Sequence, residues 1–444
     1  MHMSIHEDGI RAELRAQLRH RMRPLTGIVP RGRERQVAPI ELLYDLTYVI
    51  AFAAAAEELA AAFSTGHFGA GIGAYLFAIF AVSWAWLNFT WFTSAYGNDD
   101  ALFRVATIVQ MVGVIILIFG LPQSFHDAQH GQNPNNLLIA IGYLVMRVPL
   151  IVLWLRAATQ DPEHRRTAYA YVILIPLAQA GWLLTVLIPM PTTVAVLALI
   201  LLVVAEMVAR VVIESRFGWT PWDASHIAER FGLLTLITLG EVIAATTHAV
   251  GVLTQEQGWS IGTVVIAASG LVIASGLWWT YSLVPSGLIL RRWPQRVFAW
   301  RYTHLLLFAT VPAVGAGIRL AAEALHAGES TLMQITLALV TPVGLAIVLI
   351  FALWSVLTNT YDLTHIPILL IALIPMAIAL VIAASASGGR AFNPEDAADL
   401  TALVVIIALV ALSVMTEVLS HEIVGYKHTL RVVERQLDRD SRLD

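Results

Sequence analysis

The chain has 444 residues, of which 58% are hydrophobic and only 13% are charged; soluble domains run at roughly 45–50% and about 25%. So few charges cannot cover a soluble protein of this size, which excludes a soluble enzyme and a nucleic-acid binder. The absence of cysteine excludes disulfides, thiolate metal sites, iron–sulfur clusters and thiol nucleophiles, and it leaves the redox compartment unread. A net charge of −4 says little as a total; its distribution says more.

A membrane-spanning helix needs about 20 mostly apolar residues. Twelve stretches meet this, at 40–62, 70–95, 101–121, 136–158, 167–188, 192–214, 224–249, 259–284, 297–322, 331–354, 364–385 and 399–421. They predict an all-α polytopic membrane helix bundle. Runs such as Val194–Val204 do not alternate, which argues against barrel strands. Pro189-Met190-Pro191 reads as a tight turn between spans 5 and 6. The chain divides into an Arg-rich amphipathic segment (1–39), six spans (40–214), six more (224–421) and a basic tail (422–444).

Orientation follows from the basic residues. The first segment holds Arg11, Arg15, Arg19, Arg21, Arg23, Arg31, Arg33 and Arg35, and the tail holds Lys427, Arg431, Arg435, Arg439 and Arg442. Arg165, Arg166, Arg216, Arg291, Arg292 and Arg296 lie in loops on that same side, while the opposite loops hold only Arg390. Both termini are therefore expected in the cytoplasm, with the bundle in the inner (plasma) membrane. No short apolar stretch with a cleavage site follows the basic N-terminus, so no cleavable signal peptide is expected. Ile10, Leu14, Leu18 and Met22 recur every four residues among arginines. That pattern suits a helix lying on anionic lipid, and a solvated topogenic tail fits as well.

An internal repeat is legible. Leu174-Ile175-Pro176-Leu177-Ala178 in span 5 matches Leu373-Ile374-Pro375-Met376-Ala377 in span 11, and Pro149 in span 4 matches Pro342 in span 10. Phe103-Arg104 opens span 3 as Trp300-Arg301 opens span 9. Trp84 and Trp86 answer to Trp278 and Trp279, and Glu206/Arg210 in span 6 to Glu417/His421 in span 12. Their shared order predicts a 6 + 6 duplication with both halves the same way up. Transporters with such parallel repeats place their sites between the halves.

Ionisable side chains in a bilayer are costly, so they are usually paired, cavity-facing and functional. Span 1 carries Glu41 and Asp45 on one helical face, and span 7 carries His226, Glu229 and Arg230. Arg104, Glu206, Arg210, Arg301, His304, Glu417 and His421 complete a candidate charge network on the cytoplasmic side. It carries either coupling chemistry or structural pairs, with Arg104 and Arg301 placed to snorkel from helix starts. Glu241 falls near the midplane with no basic residue three or four positions away. It must find a partner on another helix, bind a cation or stay protonated. Glu57 and Glu58 could form an outer mouth, and Gln110 and Gln179 are expected to join helices. His126, Asp127 and His130 are too few for a metal site, so no metal or cofactor is expected. Trp91, Trp182, Trp219, Trp222, Trp259, Trp293 and Trp354 read as interfacial anchors.

Two segments resemble the bacterial low temperature requirement A (LtrA) family. Glu41-Leu-Leu-Tyr-Asp45-Leu-Thr-Tyr-Val-Ile-Ala-Phe52 is similar to its first-helix signature, with Thr47-Tyr48 a departure toward polarity. His226-Ile-Ala-Glu229-Arg230-Phe-Gly, followed by Leu239-Gly240-Glu241, is similar to its second. The resemblance implies a membrane protein of nearly all spans and singles out those acidic, His and Arg residues. It implies no activity or substrate.

The sequence thus predicts a secondary carrier or ion pathway for a small solute, proton or cation, coupled through Glu241 and the charge network. A lipid- or isoprenoid-modifying enzyme using His226, Glu229 and Glu241 is the alternative, and a scaffold with structural charges is a third. The bilayer lipids, anionic ones at the cytoplasmic face, are the expected partners. No phosphate-binding Gly-x-x-x-x-Gly-Lys-Ser/Thr loop is present, and oligomeric state is not readable.

Overall fold

The structure, a computed structural model, describes residues 35–133, 135–327, 330–360 and 365–440, together with Met22, Pro24, Leu25 and Gly27. The amphipathic N-terminal helix expected around Ile10, Leu14 and Leu18 lies outside the described residues. In lipid every backbone polar group must be satisfied within the chain, and the apolar runs answer with helices. These are α1 Pro39–Ser64, α2 Phe68–Tyr96, α3 Ala101–Gln129, α4 Leu137–Gln160, α5 Arg165–Leu187, α6 Thr192–Phe217, α7 Ala224–Gln257 and α8 Ile261–Ser282. They continue as the short α9 Ser286–Arg292, α10 Val297–Ala327, α11 Leu332–Thr358, α12 His365–Ser387 and α13 Ala397–Ser420. A π-helical turn, His421–Gly425, leads into α14 Tyr426–Asp440. Among the described residues, 12 helices are long and apolar enough to cross a membrane. The chain is a multi-pass membrane protein.

Helix starts are fixed by side chains that accept from orphan backbone N–H groups. Asp100 caps α3 through the Phe103 N–H, Asp223 caps α7 through the His226 N–H, and Asp396 caps α13 through the Ala398 N–H. Thr331 and Gln334 form a reciprocal capping box on α11. The Pro189–Pro191 turn stands between α5 and α6 as expected. The basic tail includes α14, whose Gln436 donates to the Thr358 carbonyl at the end of α11 and faces Arg296.

In the first half α1 packs on α2 and α3, α3 on α4, α4 on α5 and α5 on α6. In the second, α7 packs on α8 and α10, α10 on α11, α11 on α12 and α12 on α13. The order of neighbours is the same until the last helix, since α13 also packs on α8 whereas α6 packs chiefly on α5. The halves meet where α1 and α2 pack against α7 and α10. There α2 is central, and every residue from Ala81 to Tyr96 is buried. Helices α3 and α4 cross closely. A Cβ on Gly113 would sit 2.7 Å from the Gly142 carbonyl oxygen, and one on Gly142 2.6 Å from that of Gly113. Small residues permit such approach where lipid supplies no hydrophobic drive between helices.

Candidate functional site

A buried Arg156–Asp100 pair joins α4 to the start of α3, and the ionisable residues singled out by the sequence gather, with their partners, mainly in three places. The first is near the starts of α1 and α7, on the face of the bundle where residue 35 and α14 lie. Both helices place their charged residues four apart, on one face each, and the faces oppose in register. Asp45 Oδ1 accepts from Arg230 Nη2 at 2.5 Å and Oδ2 from Arg230 Nε at 2.9 Å, a two-pronged pair. Trp86 Nε1 donates to the same Oδ1 at 2.6 Å. One turn earlier, Glu41 Oε2 accepts from His226 Nε2 at 3.1 Å and Oε1 lies 3.3 Å from Arg230 Nη1. Arg35 closes the cluster at 3.2 Å from Glu41 and donates to the Thr93 carbonyl. Two arginines and two carboxylates balance, provided His226 is neutral. Its Nδ1 is buried without a hydrogen-bond partner. The side chains of Glu41, Asp45, His226 and Arg230 are all fully buried.

The second place joins α4, α5, α6 and α10. Glu206 accepts from Arg147 Nη2 at 2.8 and 2.9 Å, from Arg210 Nη2 at 3.2 Å and from Trp182 Nε1 at 3.2 Å. Two turns on, Glu214 accepts from neutral groups: Tyr171 Oη at 2.7 Å, Trp91 Nε1 at 2.9 Å, and the Thr220 N–H at 2.7 Å. Arg301 stands against the Trp91, Phe298 and Tyr302 rings at 4.4, 5.3 and 5.6 Å, and all three of its side-chain nitrogens lack a hydrogen-bond partner.

The third is Glu241. Its neighbours on α7 are uncharged, but Arg319 of α10 donates to it from Nε at 2.8 Å and Nη2 at 2.7 Å. Of the three possibilities open to Glu241, a partner on another helix is the one realised, with the Arg319 side chain 21% exposed. Gly315 opposite leaves room for the Glu241 side chain, since a Cβ there would come within 2.8 Å of its Cγ.

Several expected members of the network lie elsewhere. Arg104 pairs with Asp99 at 2.8 Å with both side chains partly exposed, because its position on α3 faces away from the core that holds neighbouring Phe103. Glu229 is exposed; it lies toward the edge of the face on which His226 and Arg230 are buried. His304 makes no ion pair in the charge network. It donates from Nδ1 to the Trp300 carbonyl at 2.8 Å, which leaves Nε2 to accept from Tyr281 Oη at 3.0 Å. Glu417 and His421 pair at 3.0 Å beside Trp354. Trp91 is wholly buried and Trp182 serves Glu206, so neither is an interfacial anchor. Gln179 does join helices, donating to the Ala140 carbonyl of α4. The His126 and His130 rings stack at 4.2 Å, and among the described residues no group of three or more His, Cys, Asp or Glu could hold a metal.

Sequence reasoning missed Arg147, Glu214 and Arg319, although each is an ionisable residue inside a predicted span. The criterion that found the others would have found them. Two larger cavities, of about 330 and 540 Å³, have almost wholly apolar linings, and Glu241 lines neither.

The family model described as "Bacterial low temperature requirement A protein (LtrA)" matches residues 36–411. An uncharacterized protein of Rhizobium meliloti (strain 1021) is 27% identical over 253 residues, which cover 54% of this chain and 57% of that protein. The chain thus spans somewhat over half the length of this curated relative.

Proposed function

The chain belongs to the LtrA family, and from that premise we propose that it is a secondary carrier or ion pathway for a small solute, proton or cation. The observation that carries the proposal is the cluster joining the first helix of one half to the first helix of the other. Buried ion pairs contribute little net stability compared with apolar contacts of the same volume. Their value is that they can be broken and re-formed, which suits a gate between two halves. Protonating the partnerless Nδ1 of His226 would add a positive charge to a balanced cluster. Glu41, Arg35 and Arg230 face that imidazole while Asp223 caps its backbone N–H, so a proton there sets added attraction to Glu41 against repulsion from the two arginines and reweights the pairs that join the halves. Glu241–Arg319 is the corresponding pair farther along α7 and α10, and the one partly open to solvent.

On this reading the halves are a 6 + 6 repeat, supported by the shared order of helix neighbours. The ends of the chain lie in the cytoplasm of the plasma membrane, supported by the bias of arginine toward one face. The N-terminal segment and α14 would meet anionic lipid there.

Proteoliposomes with an entrapped pH dye test the proposal. Wild-type protein should dissipate an imposed pH gradient faster than empty vesicles, with sodium acetate or phosphate present if the solute is required. Glu241→Gln should remove the excess rate while remaining folded. A wild-type rate equal to that of empty vesicles under every condition refutes it. A second reading, that the network only clamps the halves together, is favoured by the completeness of the Asp45–Arg230 pair. It predicts the same stability losses and no flux.

A further inference from the structure

In the first and third clusters every arginine has a carboxylate partner, but in the second, one does not. Arg147, Arg210 and Arg301 bring three positive charges, and Glu206 and Glu214 bring two negative ones. Glu206 is shared by Arg147 and Arg210, and Glu214 is occupied by Trp91, Tyr171 and Thr220. Trp91 ties the parts together: its Nε1 donates to Glu214 while its ring lies 4.4 Å from the Arg301 guanidinium. Arg301 is 1% exposed with all three nitrogens unpartnered, and Arg210 Nε beside it is buried without a partner as well. Ring faces attract a cation only modestly. An unpaired buried charge costs several kcal/mol, so the rings do not offset it.

We infer that Arg301, with Arg210, is a binding site for an oxyanion, a carboxylate or a phosphate group, whose charge and acceptor oxygens complete the cluster. A guanidinium presents parallel N–H groups that match two oxygens of such an anion. Arg301 is the fifth residue of α10, roughly 6 Å along the axis from the helix start. Trp219, which is 39% exposed, packs at 5.6 Å on Phe298, whose ring also lies against Arg301. As the solute class of the proposed carrier, an anionic solute, this inference rests on the transport reading; the binding itself does not.

The test is therefore a binding measurement without a gradient. Full-length protein in phosphatidylcholine nanodiscs is titrated with sodium phosphate or sodium acetate at constant ionic strength, and the thermal-unfolding midpoint and tryptophan fluorescence are read. A saturable rise in midpoint with either anion, accompanied by a fluorescence change from Trp91, is the expected result. Arg301→Gln should lose at least tenfold in affinity and, without anion, be no less stable than wild type, because it removes an unpaired charge. A rise that requires phosphatidylglycerol nanodiscs and ignores the free anions identifies the oxyanion as a lipid headgroup. Wild type unresponsive to phosphate, acetate and phosphatidylglycerol overturns the inference, whether or not the variant folds. So does a response undiminished by Arg301→Gln. Anion binding without flux would fail the carrier reading alone.

Discussion

The Asp45–Arg230 pair can be tested by a double-mutant cycle with Asp45→Asn and Arg230→Gln. Asp45 accepts three short hydrogen bonds, two from Arg230 and one from Trp86, in a fully buried setting. An asparagine in its place can keep the acceptor at Oδ1, but its amide NH2 would face the Arg230 Nε–H, donor against donor. Removing one partner of a buried pair costs about 3–5 kcal/mol, so each single variant should lose more than about 100-fold in folding equilibrium. Arg230→Gln leaves Glu41 with Arg35 and His226, which softens its loss toward the lower figure. The double variant buries neither charge, and its destabilisation should fall short of the summed singles by at least ~2 kcal/mol. Interhelical hydrogen bonds in membranes average only about 0.6 kcal/mol by such cycles, so a coupling of this size distinguishes an ion pair from an ordinary polar contact. The assay is reversible unfolding in mixed micelles. Additivity within about 0.5 kcal/mol would falsify the claim that these residues act as one unit.

Arg104→Ala should leave the unfolding midpoint unchanged, because its pair with Asp99 is exposed and screened by solvent; a loss comparable to that of Arg230→Gln contradicts the placement of Arg104 outside the network. Gly142→Ala should destabilise by about 1–3 kcal/mol by forcing α3 and α4 apart, whereas Ala at exposed Gly73, where a Cβ meets nothing within 4 Å, should be tolerated; equal effects would deny the close crossing. Because the chain has no cysteine, single cysteines report sidedness directly. Arg390→Cys should react with an impermeant maleimide from outside intact cells, and Arg166→Cys only after permeabilisation; the reverse pattern inverts the orientation.

The sequence alone determined the twelve spans, since apolar length is read directly and lipid leaves the backbone no alternative to helix. It also placed the turn at Pro189–Pro191 and picked out Glu41, Asp45, His226, Arg230 and Glu241, because a charge in a bilayer stands out. What it could not supply was partnership. Glu41 meets His226, and Asp45 meets Arg230, from positions 185 residues apart. Glu241 meets Arg319 across 78. No spacing rule within one helix carries that information, because it depends on which helices pack and at what rotation. The same rotation turned Glu229 outward, kept Arg104 at the edge and set Trp91 between Glu214 and Arg301. Residue order fixed which spans carry charges; only the packing of α1, α2, α7 and α10 decided which of them are paired and, among the described residues, left Arg301 without an acceptor.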